Sequence, residues 1–495
     1  MKTTILLTFL LLAINGCSDF SSESNEFDLS GKHYACDGDS YGEIINDTKA
    51  GKKQYCNGYR WIDLIPEDSI IKITPDSNDS VPMMYECENG SIVKNKDLCS
   101  ENPKDYLPLD DTEYPYAGLP RIVIETENLQ EIKDRETEIP AKLQIWGDSS
   151  PESEILELTI RGRGNTSWFG TPKRSYKIKF ETKSEILGMP SNTDWALIAN
   201  YADKSLIKNH LVYSLSAQLK SYYSPRSRLI ELYVNKLYLG VYLLTETIKV
   251  GKHRVNIPKS DFSYLVEIDG KHKEGEIFFV SKGIDETGRP FRIHEPSNPS
   301  TASMDTIKNY INSFEVFLRD SPNKTINEIN KWINLDEAIK HYWIQELTKN
   351  PDANFYTSVY FNWEKGNSIK IGPVWDFDLS MGGHSSDSVN ATDEWYIRHY
   401  WYRHLFRNKE FQTKAWAYWK KNKAIFESMI SQIDSLQKDM QLAANNNFNR
   451  WNILRSTRYQ YHPQSFETYK DATEYLKNWI YNRIQWIDKQ YDSSK

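Results

Sequence analysis

The sequence predicts an α+β fold of two lobes, strand-rich toward the front and helical toward the back. Three observations carry that expectation. Between Leu119 and Asp269, short runs alternate apolar and polar residues with period two, as strands with one buried face do. Helical segments follow at about 302–320, 324–333 and 335–349, with several more between 395 and 494. One β insertion interrupts them, where Phe355 to Trp363 and Ser368 to Ile371 flank a turn at Glu364-Lys365-Gly366-Asn367. This unit, 118–495, is larger than most single domains, and smaller pieces precede it.

Taken from the N-terminus, Lys2 and the apolar run Ile5 to Ile14 form a charged start and a stretch too short to span a bilayer. The run ends in Ile14-Asn15-Gly16-Cys17, which resembles a bacterial lipoprotein signal (1–17) with Cys17 as the lipidated residue. An ordinary secretory signal with a free Cys17 is the other reading. Either one puts the protein outside the cytoplasm, and the lipid would anchor it to a membrane. Residues 18–30 are polar and Ser-rich, a tether. Across 31–112 come small modules holding Cys36, Cys56, Cys87 and Cys99. In an exported chain an even cysteine set reads as two disulfides, with three pairings open. Sequential pairing, Cys36 with Cys56 and Cys87 with Cys99, closes compact local loops. A zinc site is disfavoured because no Cys-x-x-Cys knuckle occurs. Contact with polysaccharide or another surface protein is the role expected of these modules. Four prolines between Asn102 and Pro120 mark the boundary.

Composition narrows the function. The chain is 39% hydrophobic and 26% charged, a globular balance. A net charge of −7 leaves no electrostatic footprint for nucleic acid, so that class is set aside.

In the front lobe, Ile122 to Thr126, Leu143 to Trp146 and Leu156 to Ile160 read as strands. They lead to Arg161-Gly162-Arg163-Gly164-Asn165-Thr166-Ser167-Trp168, a glycine-bearing turn rich in donors. Lys173 to Phe180 is then a strand with Lys177 and Lys179 on one face and Tyr176, Ile178 and Phe180 on the other. Asp203 can cap a helix through about Lys220, with Leu206, Ile207, Leu211, Leu215 and Leu219 at helical spacing. Leu229 to Asn235 and Tyr238 to Glu246 read as a hairpin, and Tyr264 to Asp269 as a further strand.

The chemistry gathers at Trp375-Asp376-Phe377-Asp378-Leu379. In extended backbone, Asp376 and Asp378 share a face. Two anions held so close call for a cation, and a divalent metal is the direct guess; a solvated strand end is the plainer one. The order of parts decides between them. A basic glycine turn, a lysine-bearing strand, a helix, a hairpin ending at Glu246, a long helix ending at Asn350-Pro351-Asp352, a hairpin, then Asp376 is the succession a protein kinase uses.

Arg161 to Trp168, Asp194 to Leu215 with its core Asp203-Lys204-Ser205-Leu206-Ile207-Lys208-Asn209, Tyr238 to Glu246 and Trp375 to Leu379 together resemble the CotH family of atypical secretory kinases. The resemblance covers about 118–410. It implies a divergent kinase-like fold that binds ATP with Mg²⁺ (or Mn²⁺) and phosphorylates Ser or Thr on exported or surface proteins. It further implies that Asp352 is the catalytic base and that Asp376 holds the metal, with Asp378 either a second ligand or a residue that orients the first. Arg163 and Lys177 or Lys179 become candidates for the phosphates, and Glu246 falls at the adenine-side hinge. Three departures stand out: the helix Lys204 to Lys220 has no acid for a Lys–Glu clamp, Thr357 stands where a kinase has its second metal ligand, and Ser167 replaces the third glycine. A catalytically inactive surface-assembly module and a nucleotide-sugar glycosyltransferase using the Asp-x-Asp pair are therefore the alternatives. A glycosidase is poorly served by neighbouring acids, since its two carboxyls must flank a bond about 5 Å or more apart.

Overall fold

The computed structural model describes residues 106–148, 150–284, 288–457 and 464–493, plus the backbone of five short strands between 44 and 93. The chain divides into two compact units, Met1–Pro75 and Asp76–Lys495. In the first, β1 (Ile44–Asp47), β2 (Lys52–Cys56) and β3 (Trp61–Leu64) make an antiparallel sheet. In the second, β4 (Tyr85–Glu86) pairs with β5 (Ile92–Val93). The signal segment with Cys17, the tether, Cys36, Cys87, Cys99 and the side chain of Cys56 lie outside the described residues, and the expected disulfides with them. No helix among the described residues is long and apolar enough to cross a membrane.

Strand periodicity is realised in a closed barrel. It is built from β6 (Arg121–Thr126), β7 (Ile139–Trp146), β8 (Leu156–Arg163), β9 (Ser175–Ile186), β10 (Met189–Ile198), β11 (Ser227–Val234) and β12 (Leu237–Glu246). Neighbours pair antiparallel except where β11 meets β6 in parallel and shuts the cylinder. Closure removes the exposed edges an open sheet would leave. Alternate residues point inward: Ile122 and Ile124, Leu143 and Ile145, Leu158 and Ile160, Ile178 and Phe180 all join one core. Each such aliphatic burial contributes about 1.5–3 kcal/mol. On the outer face Val123, Tyr233 and Tyr238 hold Leu107, Leu109 and Tyr114. The β11–β12 hairpin turns at Asn235 and Lys236, both at positive φ, as a two-residue turn requires.

The rest is mixed. After a one-turn helix α1 (Thr166–Phe169) between β8 and β9, helix α2 (Lys208–Gln218) links β10 to β11. Its apolar residues are buried as their spacing predicts, but it starts later than expected. Asp203 accepts from the Ser205 and Lys208 amides, and Leu206 at φ 63° breaks the helix there. A second sheet runs β14 (Phe278–Ser281), β15 (Arg289–Glu295), β13 (Ser263–Ile268), β16 (Val359–Glu364), β17 (Lys370–Ile371). The β16–β17 insertion thus joins a sheet already begun. Helices α3 (Thr301–Arg319), α4 (Ile326–Trp332) and α5 (Leu335–Thr348) match the periodic segments within a few residues. Short α6 (Asp387–Asn390) and α7 (Tyr400–Leu405) precede the long α8 (Lys409–Arg450) and α9 (Tyr469–Ser493). At its end α8 is tied to β12: Asn447 Oδ1 accepts from the Val241 amide and from Lys173 Nζ, 3.1 and 2.8 Å.

Candidate active site

One cavity of about 520 Å³ gathers the ends of these elements. From the barrel come Arg161, Arg163, Gly164 and Asn165. Gly162 is required at the end of β8, because a Cβ there would meet the Trp168 ring at 2.4 Å and Asp134 O at 2.7 Å. Gly164, at φ 131°, lets the chain leave the strand and turn into α1. Arg163 lays its guanidinium 5.1 Å from the centre of the Trp375 ring.

Facing this wall are two loops. The first follows α5, which ends with Lys349 in the left-handed region (φ 46°) and delivers Asp352 to the cavity. Tyr356 and Thr357 amides both donate to Asp352 O, curling the segment, and Asn350 Oδ1 accepts from the Asp352 amide. The second is 372–383, irregular rather than a strand, with Asp376 at φ 66°. The alternation inferred from sequence nonetheless holds: Asp376 and Asp378 line the cavity while Phe377 is fully buried. Asn350 Nδ2 donates to Asp376 O at 3.0 Å and so joins the two loops. Lys349, Phe355, Ser358, Asp376 and Met381 all have positive φ without being glycine. Strain of this sort, of order 1–3 kcal/mol per residue, gathers where function demands a geometry.

Helix α2 braces the second loop. Asn209 Oδ1 accepts from the Phe377 amide at 2.8 Å, and buried Lys208 donates to Ser380 O and Asp378 O at 2.8 and 3.2 Å. Tyr213 stacks on Trp375 at 5.6 Å and meets Phe377 edge-on. Helix α2, which carries no acid, therefore still reaches the acidic loop, through contacts to its backbone.

The electrostatics are uncompensated. Burial, then Asp376, push the Asp352 carboxyl up to about 7, with Lys271 pulling the other way. Burial, Asp376 and Asp352 push Asp378 well above the carboxylate range, opposed by Lys208. Among the described residues none of the three acids has a cation within ion-pair distance; Asp376 Oδ2 is met by Ser358 Oγ at 3.4 Å. An all-oxygen acid set of this kind suits a hard divalent cation. No three His, Cys, Asp or Glu side chains form a metal-holding group among the described residues, so a cation here would need ligand oxygens and water as well.

Of the residues singled out by sequence, the cavity unites Asp352, Asp376, Asp378 and Arg163. Lys177, Lys179 and Glu246 stand apart. Lys177 pairs with Asp194 at 3.0 Å alongside Lys249, and Lys179 is exposed on the barrel. Glu246 is fully buried, bound to Arg226 at 2.9 Å and near Arg254 at 3.8 Å. Conversely, Glu267 and Asp269 at the end of β13 line the cavity and were not foreseen. Their i, i+2 spacing at a strand end is the signal that drew attention to Asp376 and Asp378. Thr357, where a kinase metal ligand was missed, donates to Asp269 Oδ1 at 2.9 Å.

In this α+β protein one cavity therefore sets arginines and a glycine turn against the carboxylates of Asp352, Asp376 and Asp378. The family model described as CotH kinase protein matches residues 160–487, and the chain belongs to that family. No curated protein matches it.

Proposed function

We propose that this protein is an ATP-dependent Ser/Thr protein kinase with a divergent two-lobed kinase-like fold, acting on exported or surface proteins. Membership of the CotH kinase protein family supports this, and one observation carries it: Asp352, Asp376 and Asp378 share a cavity with Arg163. In this reading Asp352 takes the proton of the acceptor hydroxyl, a step worth roughly 10²–10⁴-fold. Arg163 faces the phosphates, and Asp376 with Asp378 would hold Mg²⁺ or Mn²⁺. When bound, such an ion neutralises phosphate charge. Positioning and charge neutralisation are most of what phosphoryl transfer needs. The setting is extracytoplasmic, with a lipid on Cys17 as the membrane anchor and the 31–112 modules as surface contacts.

The test is transfer of label from γ-labelled ATP to a mixture of exported proteins, with Mg²⁺ or Mn²⁺ present. Wild type should transfer label; Asp352→Ala and Asp376→Ala should not. Absence of any nucleotide-induced stabilisation of the wild type would sink the kinase reading. Consumption of a nucleotide sugar without phosphate transfer would favour a glycosyltransferase instead.

A further inference from the structure

Most cations of the cavity are already committed. Arg161 pairs with Glu138 at 3.7 Å, Lys273 with Glu136 at 3.8 Å, and Arg292 with Glu276 and Asp269 at 2.6 and 3.5 Å. Arg135 donates to Asn165 Oδ1 at 2.6 Å. Arg163 and the exposed Lys271 remain: both line the cavity, and no carboxylate among the described residues lies within ion-pair distance of either.

The Lys271 loop is fastened to the segment that carries Asp352. The Gly270 amide donates to Tyr356 O at 2.7 Å, and a Cβ at Gly270 would come within 2.8 Å of that oxygen. Asp269 Oδ1 accepts from Thr357 Oγ1 at 2.9 Å and from the Lys271 amide at 2.8 Å. The Lys271 ammonium sits 5.5 Å from the centre of the Tyr356 ring. Four residues after Asp352, Tyr356 thus flanks the lysine on the base's own loop. The Lys271 charge is also felt at the Asp352 carboxyl, where it opposes burial and Asp376.

We propose that Lys271 is a catalytic residue of phosphoryl transfer, its ammonium set against the oxygens of the migrating phosphoryl group beside Asp352. This rests on the kinase reading above. In the step, the acceptor oxygen bonds to the γ-phosphorus as the bond from that phosphorus to the bridging oxygen breaks. ADP leaves with the electron pair, the acceptor proton passes to Asp352, and Lys271 keeps its proton. A cation that meets the charge spreading over the transferring group is the kind of contact that lowers a barrier rather than KM.

The experiment compares full-length wild type, Lys271→Met and Lys271→Arg for kcat, both KM values, ATP and ADP affinity, and unfolding midpoint. Lys271→Met should lower kcat about 100-fold, reduce the preference for ATP over ADP, and leave ADP affinity and the midpoint unchanged. Lys271→Arg should recover part of kcat. A Lys271→Met enzyme with wild-type kcat overturns the proposal alone, as does a raised acceptor KM at unchanged kcat, which would make Lys271 an acceptor-binding residue. A wild type that binds ATP but transfers no phosphate overturns the kinase reading and this proposal together.

Discussion

Two populations of buried carboxylates differ sharply in how the fold treats them. Glu246, at the end of β12, is fully buried and met by Arg226, Arg254, the Tyr223 hydroxyl and the Arg226 amide. Glu346 on α5 is likewise enclosed, with Arg483 at 2.5 Å and the Tyr396 and Ile397 amides at 2.8 Å. A short way along the same chain, Asp352, Asp376 and Asp378 have no such partners among the described residues, and Asp376 raises the pKa of both others by repulsion. Glu246 and Glu346 are paired with arginines, and an unpaired buried charge in their place would cost several kcal/mol. In the cavity, burial and mutual repulsion instead push the Asp352 and Asp378 carboxyls up, favouring their protonated forms.

The contrast breaks most visibly by mutation. Asp352→Asn should lower phosphotransfer by about 10²–10⁴-fold and leave folding intact, read from initial rates beside a thermal melt. Glu246→Ala should do the opposite. It removes the carboxylate that Arg226 and the fully buried Arg254 share, and should cost about 3–5 kcal/mol of stability in a denaturant titration.

A pH series sharpens the comparison. The Asp352 carboxyl moves from an ordinary 3.8 to about 7 in the folded state. The folded protein therefore binds that proton more tightly. The stabilisation is complete below the ordinary value and is lost as pH rises through about 7. Ligand-free wild type should lose stability between pH 5 and pH 8 relative to Asp352→Asn, by roughly 1–3 kcal/mol given about 1.4 kcal/mol per pKa unit. Equal pH profiles would mean that the carboxyl is not held in an uncompensated site.

The smallest effect is expected at Lys179, exposed on β9 and outside the cavity. Lys179→Ala should leave ATP affinity within measurement error and stability within about 0.5 kcal/mol. A clear loss of ATP binding would restore the phosphate-binding role that its sequence position suggested.

Periodicity and local chemistry made much of this legible. The helices α3 to α5, the β11–β12 and β16–β17 hairpins, and the inward face of β9 all follow from spacing alone. So does the shared orientation of Asp376 and Asp378, since Phe377 between them has to be buried. Spacing says which face a side chain takes, not what that face meets. Lys177 and Lys179 lie on the non-core face of β9 as read, but that face is met by Asp194 and solvent rather than by the cavity.

By itself, then, the sequence determined the α+β class, most of the elements and the common side taken by Asp376 and Asp378, because these depend on local propensity and period. Tertiary structure alone decided the rest. Barrel closure needs β6 and β11 to pair in parallel across about a hundred intervening residues, and no local pattern encodes that meeting. The same long-range contacts turned Glu246 into a framework ion pair and brought Glu267, Asp269 and Lys271 to face Asp352. Whether a charged side chain is structural or chemical depends on which distant partner reaches it, and only the folded chain supplies that partner.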